Sequence, residues 1–502
     1  MQSGATVRLA LSPGTGSRTL RRTYAARVPK RQLRLTETDT AEIEAAFTEL
    51  RRQLDVSLDF PPEVLADAEQ AARAPRLPEA DETAVPFLTI DPPESLDLDQ
   101  AMHIERRGKG YRVRYAIADV AAFVDPGGPM DLEAHRRGET LYAPDAKARL
   151  YPPRLSEDAG SLLPDQLRPA LVWTMDVDET GEGIEVSVRH ALVRSRAKLS
   201  YEAVQRALDD GSAEEVLVLL REVGTLRQER EARRGGVSLP LPEQLVSKGP
   251  DGYELENRAP LPVEGWNAQI SLMTGMGAAE LMLTGEIGIL RTVPAPDPER
   301  LERLRRTAKA LDVPFPKELS YPDFIRTLRP EESQHAAVLA EAAGVLRGSG
   351  YVAFAGDAPK DPVHAALAST YAHTTAPLRR LVDRYVGEAC VALSAGEALP
   401  DWVRAELPKL PEVMQESAGR SSQYESGIVS TVEAALLEDS VGDTFDAVVV
   451  DLSEHRGGGT VALAEPPVTA RCEGDELPLG ERVEVRLELA DVMKRQVRFR
   501  LA

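Results

Sequence analysis

The apolar positions of this chain follow two periods, and the changes between them divide it. Ile43, Phe47, Leu50 and Leu54 recur every three to four residues, which predicts one buried face of a helix capped by Thr38 or Asp39. Pro61 to Ala74 reads as a second, short helix. Pro86-Phe87-Leu88-Thr89-Ile90 is a brief apolar run, the mark of a buried strand. Met102-His103-Ile104-Glu105 and Tyr111-Arg112-Val113-Arg114-Tyr115 alternate around the turn Arg107-Gly108-Lys109-Gly110, which predicts a hairpin. Asp131 to Gly138 reads as a helix stopped by its glycine. Leu171 to Val177 and Ile184 to Val188 read as strands around Glu179-Thr180-Gly181. Residues 200 to 233 are helical in pattern, and the Pro-rich stretch 239 to 262 is irregular. Gln269 to Leu283 is apolar and rich in Gly and Ala, the pattern of a closely packed core helix. Asp297-Pro298-Glu299 opens a helix with Leu301, Leu304, Ala308 and Leu311 as its buried stripe. Helices dominate from there to Leu437. Beyond Gly442 the period returns to two. Thr444 to Val450, Thr460 to Leu463, Val483 to Leu487 and Val497 to Leu501 are strands at short spacing, which suggests a small OB-like barrel.

Composition narrows the class. A chain of 502 residues with 42% hydrophobic content holds several domains of a globular protein. No run of about 18 apolar residues is present, so no membrane span is expected. The first twenty residues are basic but lack a continuous apolar core, which argues against a secretory signal. Cys390 and Cys472 give neither zinc spacing nor a disulfide framework, in keeping with a reducing cytoplasm. The net charge of −21 argues against indiscriminate coating of nucleic acid. Residues 1 to 36 run the other way. They carry Arg8, Arg18, Arg21, Arg22, Arg27, Lys30, Arg31 and Arg34 with no acidic residue, which reads either as a phosphate-contacting surface or as a basic tail.

The stretch with chemistry is Phe87 to Met102, FLTIDPPESLDLDQAM. It sets Asp91, Asp97 and Asp99 on a loop between two predicted strands, with Gln100 next. Crowded carboxylates repel unless a cation lies between them, and hard cations such as Mg²⁺ or Mn²⁺ take oxygen ligands. A calcium loop is a poor match, because counting from Asp97 the sixth and twelfth positions are Met102 and Gly108.

Asp91-x5-Asp97-x-Asp99-Gln100 resembles the active-site signature of the RNB family, exoribonucleases of the ribonuclease II and ribonuclease R type. The likeness continues in order through Tyr115-Ala116-Ile117-Ala118-Asp119-Val120, Phe123-Val124 and Tyr151-Pro152-Pro153-Arg154-Leu155-Ser156. Arg233-Arg234-Gly235-Gly236 and Tyr371-Ala372-His373-Thr374-Thr375-Ala376-Pro377-Leu378-Arg379-Arg380 follow, so that it covers roughly residues 60 to 437. The resemblance implies an α+β multidomain protein. It has a small basic, winged-helix-like module over residues 1–60, in place of the family's cold-shock domains. A catalytic core of mixed sheet and packed helices covers 61–440, and an OB-like RNA-binding barrel covers 441–502.

It also implies an activity and its residues. The expected reaction is metal-dependent, sequence-nonspecific 3′→5′ hydrolysis of single-stranded RNA to nucleoside 5′-monophosphates, by a cytoplasmic monomer. Asp91, Asp97, Asp99 and Gln100 are the expected ligands of Mg²⁺ (or Mn²⁺), with Asp99 the most rate-critical. Gln100 departs from the usual aspartate; its amide oxygen is a neutral and weaker ligand. Arg379 matches the arginine that contacts the scissile phosphate, and Arg380 and Arg384 are expected to add backbone contacts. Tyr142 matches a tyrosine that stacks on the last base, the alternative being a core tyrosine. Its usual aromatic partner is replaced near Ile287. Glu425 falls at a glutamate of the 3′-end pocket, with Ser426 where an arginine is usual. His373 is read as a structural hydrogen-bonder. Two other readings stand beside this one. A catalytically impaired RNA-binding regulator would fit Gln100, and a small-molecule phosphoesterase would need neither the basic N-terminus nor the C-terminal barrel.

Overall fold

The structure is a computed structural model that describes residues 37–502 apart from 240–242, 250–251, 259, 331, 453–456, 464–465, 467 and 475–476. The chain divides into Met1–Arg31 and a compact unit, Gln32–Ala502. The first unit lies outside the described residues, and with it most of the basic segment and of the expected winged-helix-like module. Helix α1 (Glu37–Gln53) begins before Thr38, so neither Thr38 nor Asp39 is its N-cap. Its apolar stripe is the one the sequence marks: Ile43, Phe47 and Leu50 are buried.

Helix α2 (Pro62–Arg73) leads into the first sheet. Strands β1 (Phe87–Ile90), β2 (Gln100–Arg107) and β3 (Gly110–Ala118) come before helix α3 (Pro129–Arg137) and the two-residue ladder of β4 (Leu141–Tyr142) and β5 (Lys147–Ala148). Strands β6 (Leu167–Val177) and β7 (Gly183–Leu199) complete a closed barrel in the order β1-β2-β3-β6-β7. All its pairings are antiparallel except β1 with β7, so the aspartate loop leaves the barrel beside the end of β7. Tyr115 pairs in register with Trp173. Both rings are fully buried, and an aromatic pair of this size dominates the local packing.

Helices α4 (Tyr201–Asp210) and α5 (Glu215–Arg234) follow. The stretch expected to be irregular is instead a hairpin, β8 (Glu243–Gly249) with β9 (Gly252–Arg258). Backbone pairing supplies there the order that the side-chain pattern does not announce. Helix α6 (Pro262–Thr284) is the Gly/Ala-rich core helix. A methyl group at Gly275 would strike the Tyr371 ring and the Ala372 carbonyl, so this glycine lets segment 371–378 lie directly on the helix. Ala372 N–H closes the contact on Gly275 O at 3.0 Å.

Strand β10 (Ile287–Thr292) and helices α7 (Pro298–Ala310), α8 (Tyr321–Thr327) and α9 (Ser333–Ala342) precede β11 (Gly350–Ala355), which pairs with β10. The sequence marks neither strand of this ladder, because the two short strands are some sixty residues apart and share no turn signal. A small ladder, β12 (Val363–His364) with β13 (Ser369–Thr370), leads to α10 (Leu381–Ser394), α11 (Asp401–Glu406) and the long α12 (Leu410–Ala435). Tyr424, Ile428 and Val432 of α12 receive the apolar face of α1. The chain ends in a second closed barrel of β14 (Thr444–Leu452), β15 (Gly459–Leu463), β16 (Thr469–Glu473), β17 (Arg482–Asp491) and β18 (Gln496–Leu501). Strand β16 is the one that sequence does not mark.

Candidate active site

The aspartate loop is held from three sides. Leu98 is fully buried and pegs it to the barrel. Leu98 N–H donates to Ser161 Oγ at 2.9 Å, and that hydroxyl donates to Leu96 O at 2.6 Å. Lys198 of β7 donates to the Pro93 and Ser95 carbonyls, both at 2.6 Å. Loops carry charge well when a rigid scaffold fixes their backbone, and here every fixing contact is a named one.

Each acidic side chain then has its own surroundings. Asp91 follows β1, and its N–H donates to Leu199 O at 3.0 Å. Its Oδ2 is buried with no hydrogen-bond partner. Burial pushes its carboxyl up to about 6, against the pull of Lys198 and with the repulsion of Asp97. Asp97 accepts from Tyr142 Oη at 3.3 Å and from Lys147 Nζ at 3.4 Å. Asp99 is 5% exposed. Its Oδ1 accepts from Leu378 N–H at 2.7 Å, and its Oδ2 is 3.4 Å from Arg379 Nε. Burial pushes it up to about 8, although Arg379 opposes the shift. Gln100, the first residue of β2, is engaged at both ends. Its Nε2 donates to Thr375 O at 2.6 Å, and its Oε1 accepts from the Tyr115 hydroxyl.

The segment 371–380 thus meets the loop at three points: Thr375 O, Leu378 N–H and the Arg379 guanidinium, which is about half exposed. Tyr142 stands opposite and is 38% exposed. The Lys147 ammonium lies 5.6 Å from the centre of its ring. A cavity of about 660 Å³ runs from Tyr142 to Glu425 and Ser426 of α12 and on to Thr469 of the C-terminal barrel. Tyr142 thus joins two groups of residues: it bonds to Asp97 of the aspartate loop, whose Asp99 meets Arg379, and it lines the cavity that reaches Glu425.

Two expected RNA contacts are not in it. Arg384 is corrected: its side chain is fully buried, and it donates to Asp131 Oδ1 of α3 at 2.8 Å. Arg380 is corrected likewise: it is bound in a fork to Asp383, at 2.6 Å and 2.8 Å. Arg380 is the residue before α10 and Arg384 lies in its first turn, and each is held by an acidic partner of the fold. His373 is partly buried and meets Tyr351 Oη at 2.6 Å. Lys147 and Lys198 escape a reading of the sequence, since a lone lysine carries no motif. Tyr115 and Leu378 lie in segments that the sequence marks, but their contacts with Gln100 and Asp99 are not legible there.

The donor set fits a divalent cation. Two buried carboxylates are held above their ordinary range, and Asp91 Oδ2 points into the protein without a donor. A bound hard cation relieves both conditions. A different group brings its ligand atoms closest among the described residues. Asp119, His190 and Glu388 offer three within 4.8 Å of one another. His190 Nδ1 is 2.8 Å from Asp119 and its Nε2 is 3.5 Å from Glu388. Burial lowers this imidazole, but its bonds to Asp119 and Glu388 outweigh that and push it up to about 10. A proton held so firmly makes the imidazolium itself the cation of that cluster.

Comparison with known proteins places the chain. The RNB domain family matches residues 80–393, and the RNase II-type exonuclease C-terminal S1 domain matches 443–502. Ribonuclease R of Aquifex aeolicus is 27% identical over 459 residues, covering 82% of this chain and 63% of that protein. The chain spans about a third to just under two thirds of the length of the curated relatives it matches. Ribonuclease R of Mycoplasma genitalium, solved in complex with ribose-methylated single-stranded RNA, superposes with a TM-score of 0.81 at 18% identity. That match covers 92% of this chain and 78% of the solved one. Yeast Ssd1, described as a pseudonuclease, shares the fold with a TM-score of 0.65 at 16% identity over 89% of this chain and 57% of its own. The barrel, the aspartate loop that leaves it and the segment that closes over the loop are thus those of a known lineage, and the chain belongs to the RNB family.

Proposed function

We propose that this chain is a divalent-metal-dependent, sequence-nonspecific exoribonuclease that shortens single-stranded RNA from its 3′ end, releasing nucleoside 5′-monophosphates. The observation that carries the reading is the meeting of Asp99 with Leu378 N–H and Arg379 beside the unpartnered oxygen of Asp91. Buried carboxylates raised by their surroundings mark a site built for another charge. Asp91, Asp97 and Asp99 are the residues to hold Mg²⁺ or Mn²⁺, which when bound lowers the pKa of water and neutralises phosphate oxygens. Gln100 orients the loop through Tyr115 and Thr375.

Arg379 is anchored at Nε by Asp99, and its exposed remainder offers a planar fork to the scissile phosphate. Tyr142 presents a ring on which any base can stack, and this tolerance accounts for the absence of sequence preference. The cavity between Tyr142 and Glu425 takes the terminal nucleotide. No helix among the described residues is long and apolar enough to cross a membrane.

A second reading, an RNA-binding regulator without activity, is motivated by Gln100 and by the pseudonuclease among the structural neighbours. Incubation of 5′-labelled single-stranded RNA with Mg²⁺ or with EDTA separates the two. A ladder that needs Mg²⁺ supports the nuclease, and binding without cleavage supports the regulator. RNA must be told from DNA by the 2′-hydroxyl. A strand with deoxynucleotides only at its 3′ end is therefore expected to stall at once. One with a deoxy block in its 5′ half is expected to shorten until the block is reached. Equal, complete degradation of both would refute the RNA-specific reading.

A further inference from the structure

The partners of the four polar side chains on the loop differ in a way that counts cations. Both ends of the Gln100 amide are committed, to Thr375 O and to the Tyr115 hydroxyl. Asp99 has Leu378 N–H on one oxygen and Arg379 on the other. Asp97 has Tyr142 Oη on one and Lys147 Nζ on the other. Only Asp91 keeps a buried oxygen with no donor. The loop thus offers one open carboxylate oxygen, on Asp91. A carboxylate at position 100, in place of the committed amide, would add a second charged ligand.

Lys147 is also held where it is. It pairs in register with Tyr142 across the β4–β5 ladder. The turn of that ladder carries Asp145, which Arg51 of α1 grips through two bonds, of 3.1 Å and 2.9 Å. Its side chain is 30% exposed, and it lies against the Tyr142 ring, so the ammonium is drawn toward Asp97 from a braced hairpin and not from a free surface.

We infer that Lys147 supplies, as a fixed charge, what a second metal ion would otherwise supply, and that this active site takes one divalent ion per chain, anchored on Asp91. The inference rests on the nuclease reading above only for the identity of the site. Lysine and glutamine here form a matched pair: the neutral residue at 100 removes the need for one cation, and Lys147 neutralises Asp97 in place of another.

The test is the number of Mn²⁺ ions bound to the full chain without RNA, by electron paramagnetic resonance and by calorimetry. The proteins are the wild type, K147R, K147M and the double variant Q100D/K147M, each checked for native circular dichroism. One ion is expected for the wild type and K147R. Two are expected for Q100D/K147M, the second about tenfold or more weaker than the first. With RNA, the rate of the wild type should rise with the first power of Mg²⁺ concentration. K147M should lose about a hundredfold in kcat, in line with removal of one fixed electrostatic group, and K147R should retain most of it. Two ions on the wild type, or one unaltered ion on the double variant, would overturn the inference. Should the wild type bind one ion and cleave no RNA, the nuclease reading fails and the ion count stands. Should it cleave RNA with two ions bound, the count fails and the nuclease reading stands.

Discussion

Replacing Asp99 by Asn separates the chemistry of the loop from its architecture. The amide oxygen of Asn can still accept the 2.7 Å bond from Leu378 N–H, so the loop keeps its anchor. What disappears is a buried charge. The Asp99 carboxyl sits at about 8 in the folded protein against 3.8 in an unfolded chain. The folded value is the higher one, so its contribution to stability is complete below pH 4 and is lost as pH rises toward 8. Between pH 3.8 and pH 7 the unfolded chain releases this proton while the folded chain keeps it. At about 1.4 kcal/mol per pH unit this sets a ceiling of roughly 4 kcal/mol at pH 7. Relaxation and water at the mouth of the cleft reduce it to about 2 kcal/mol. Asp99→Asn is therefore expected to match the wild type near pH 4. In EDTA it should exceed the wild type by about 2 kcal/mol at pH 7 to 8, measured by urea unfolding. In Mg²⁺ the order should narrow or reverse, because the ion stabilises only the protein that binds it. Cleavage of labelled RNA should fall by about a thousandfold, with RNA affinity nearly unchanged. Parallel stability curves across pH in EDTA would refute the burial argument. Retention of more than a few per cent of the activity would remove Asp99 from the chemistry.

Arg384→Leu should cost about 3 kcal/mol by leaving Asp131 buried without its guanidinium partner, while the KM for RNA of whatever folds stays the same; a raised KM with intact stability would return Arg384 to the RNA path. His190→Gln should destabilise the fold by about 2 kcal/mol at pH 7, after allowance for its partial exposure. The imidazole is raised to about 10, so its contribution in the wild type is complete below pH 6.5 and is lost as pH rises through 10. The gap between variant and wild type should therefore close in alkaline solution, and a constant gap would contradict the ion cluster. Removing residues 1–36 should weaken RNA binding and lower the slope of log affinity against log salt by about one for each phosphate that the segment neutralises; identical slopes would show that the segment has no RNA role.

Much of the fold is legible in the sequence because its signals are local. The strand Phe87–Ile90, the hairpin turning at Gly108, the cap at Asp297 and the stripe of Ile43, Phe47 and Leu50 are all set by neighbours within a few residues. The ladder of 287–292 with 350–355 is not, because each half is stable only against the other. At the site, the aspartates announce themselves by crowding and by likeness to a family. The inward turn of Arg380 and Arg384 does not. Two arginines after Pro377 look like phosphate ligands until Asp383 and Asp131, one local and one some 250 residues away, are seen to hold them. Lys147 is the opposite case, an ordinary surface residue in the sequence that the β4–β5 ladder carries to Asp97.

The grip of Arg51 on Asp145 bears on how separable this protein's parts are. The RNB domain match begins at residue 80, and by sequence kinship alone everything before it is an accessory. Mechanically it is not. The hairpin that presents Tyr142 and Lys147 has only two residues in each strand, too few to hold its own shape in water. Its brace is a guanidinium on α1, and α1 is seated on α12, the helix that also carries Glu425. A shortened protein cut at the edge of the kinship match would keep every aspartate and lose the splint. The inherited unit and the working unit have different borders here, and swapping RNB cores between relatives would succeed or fail on whether this helix travels with them.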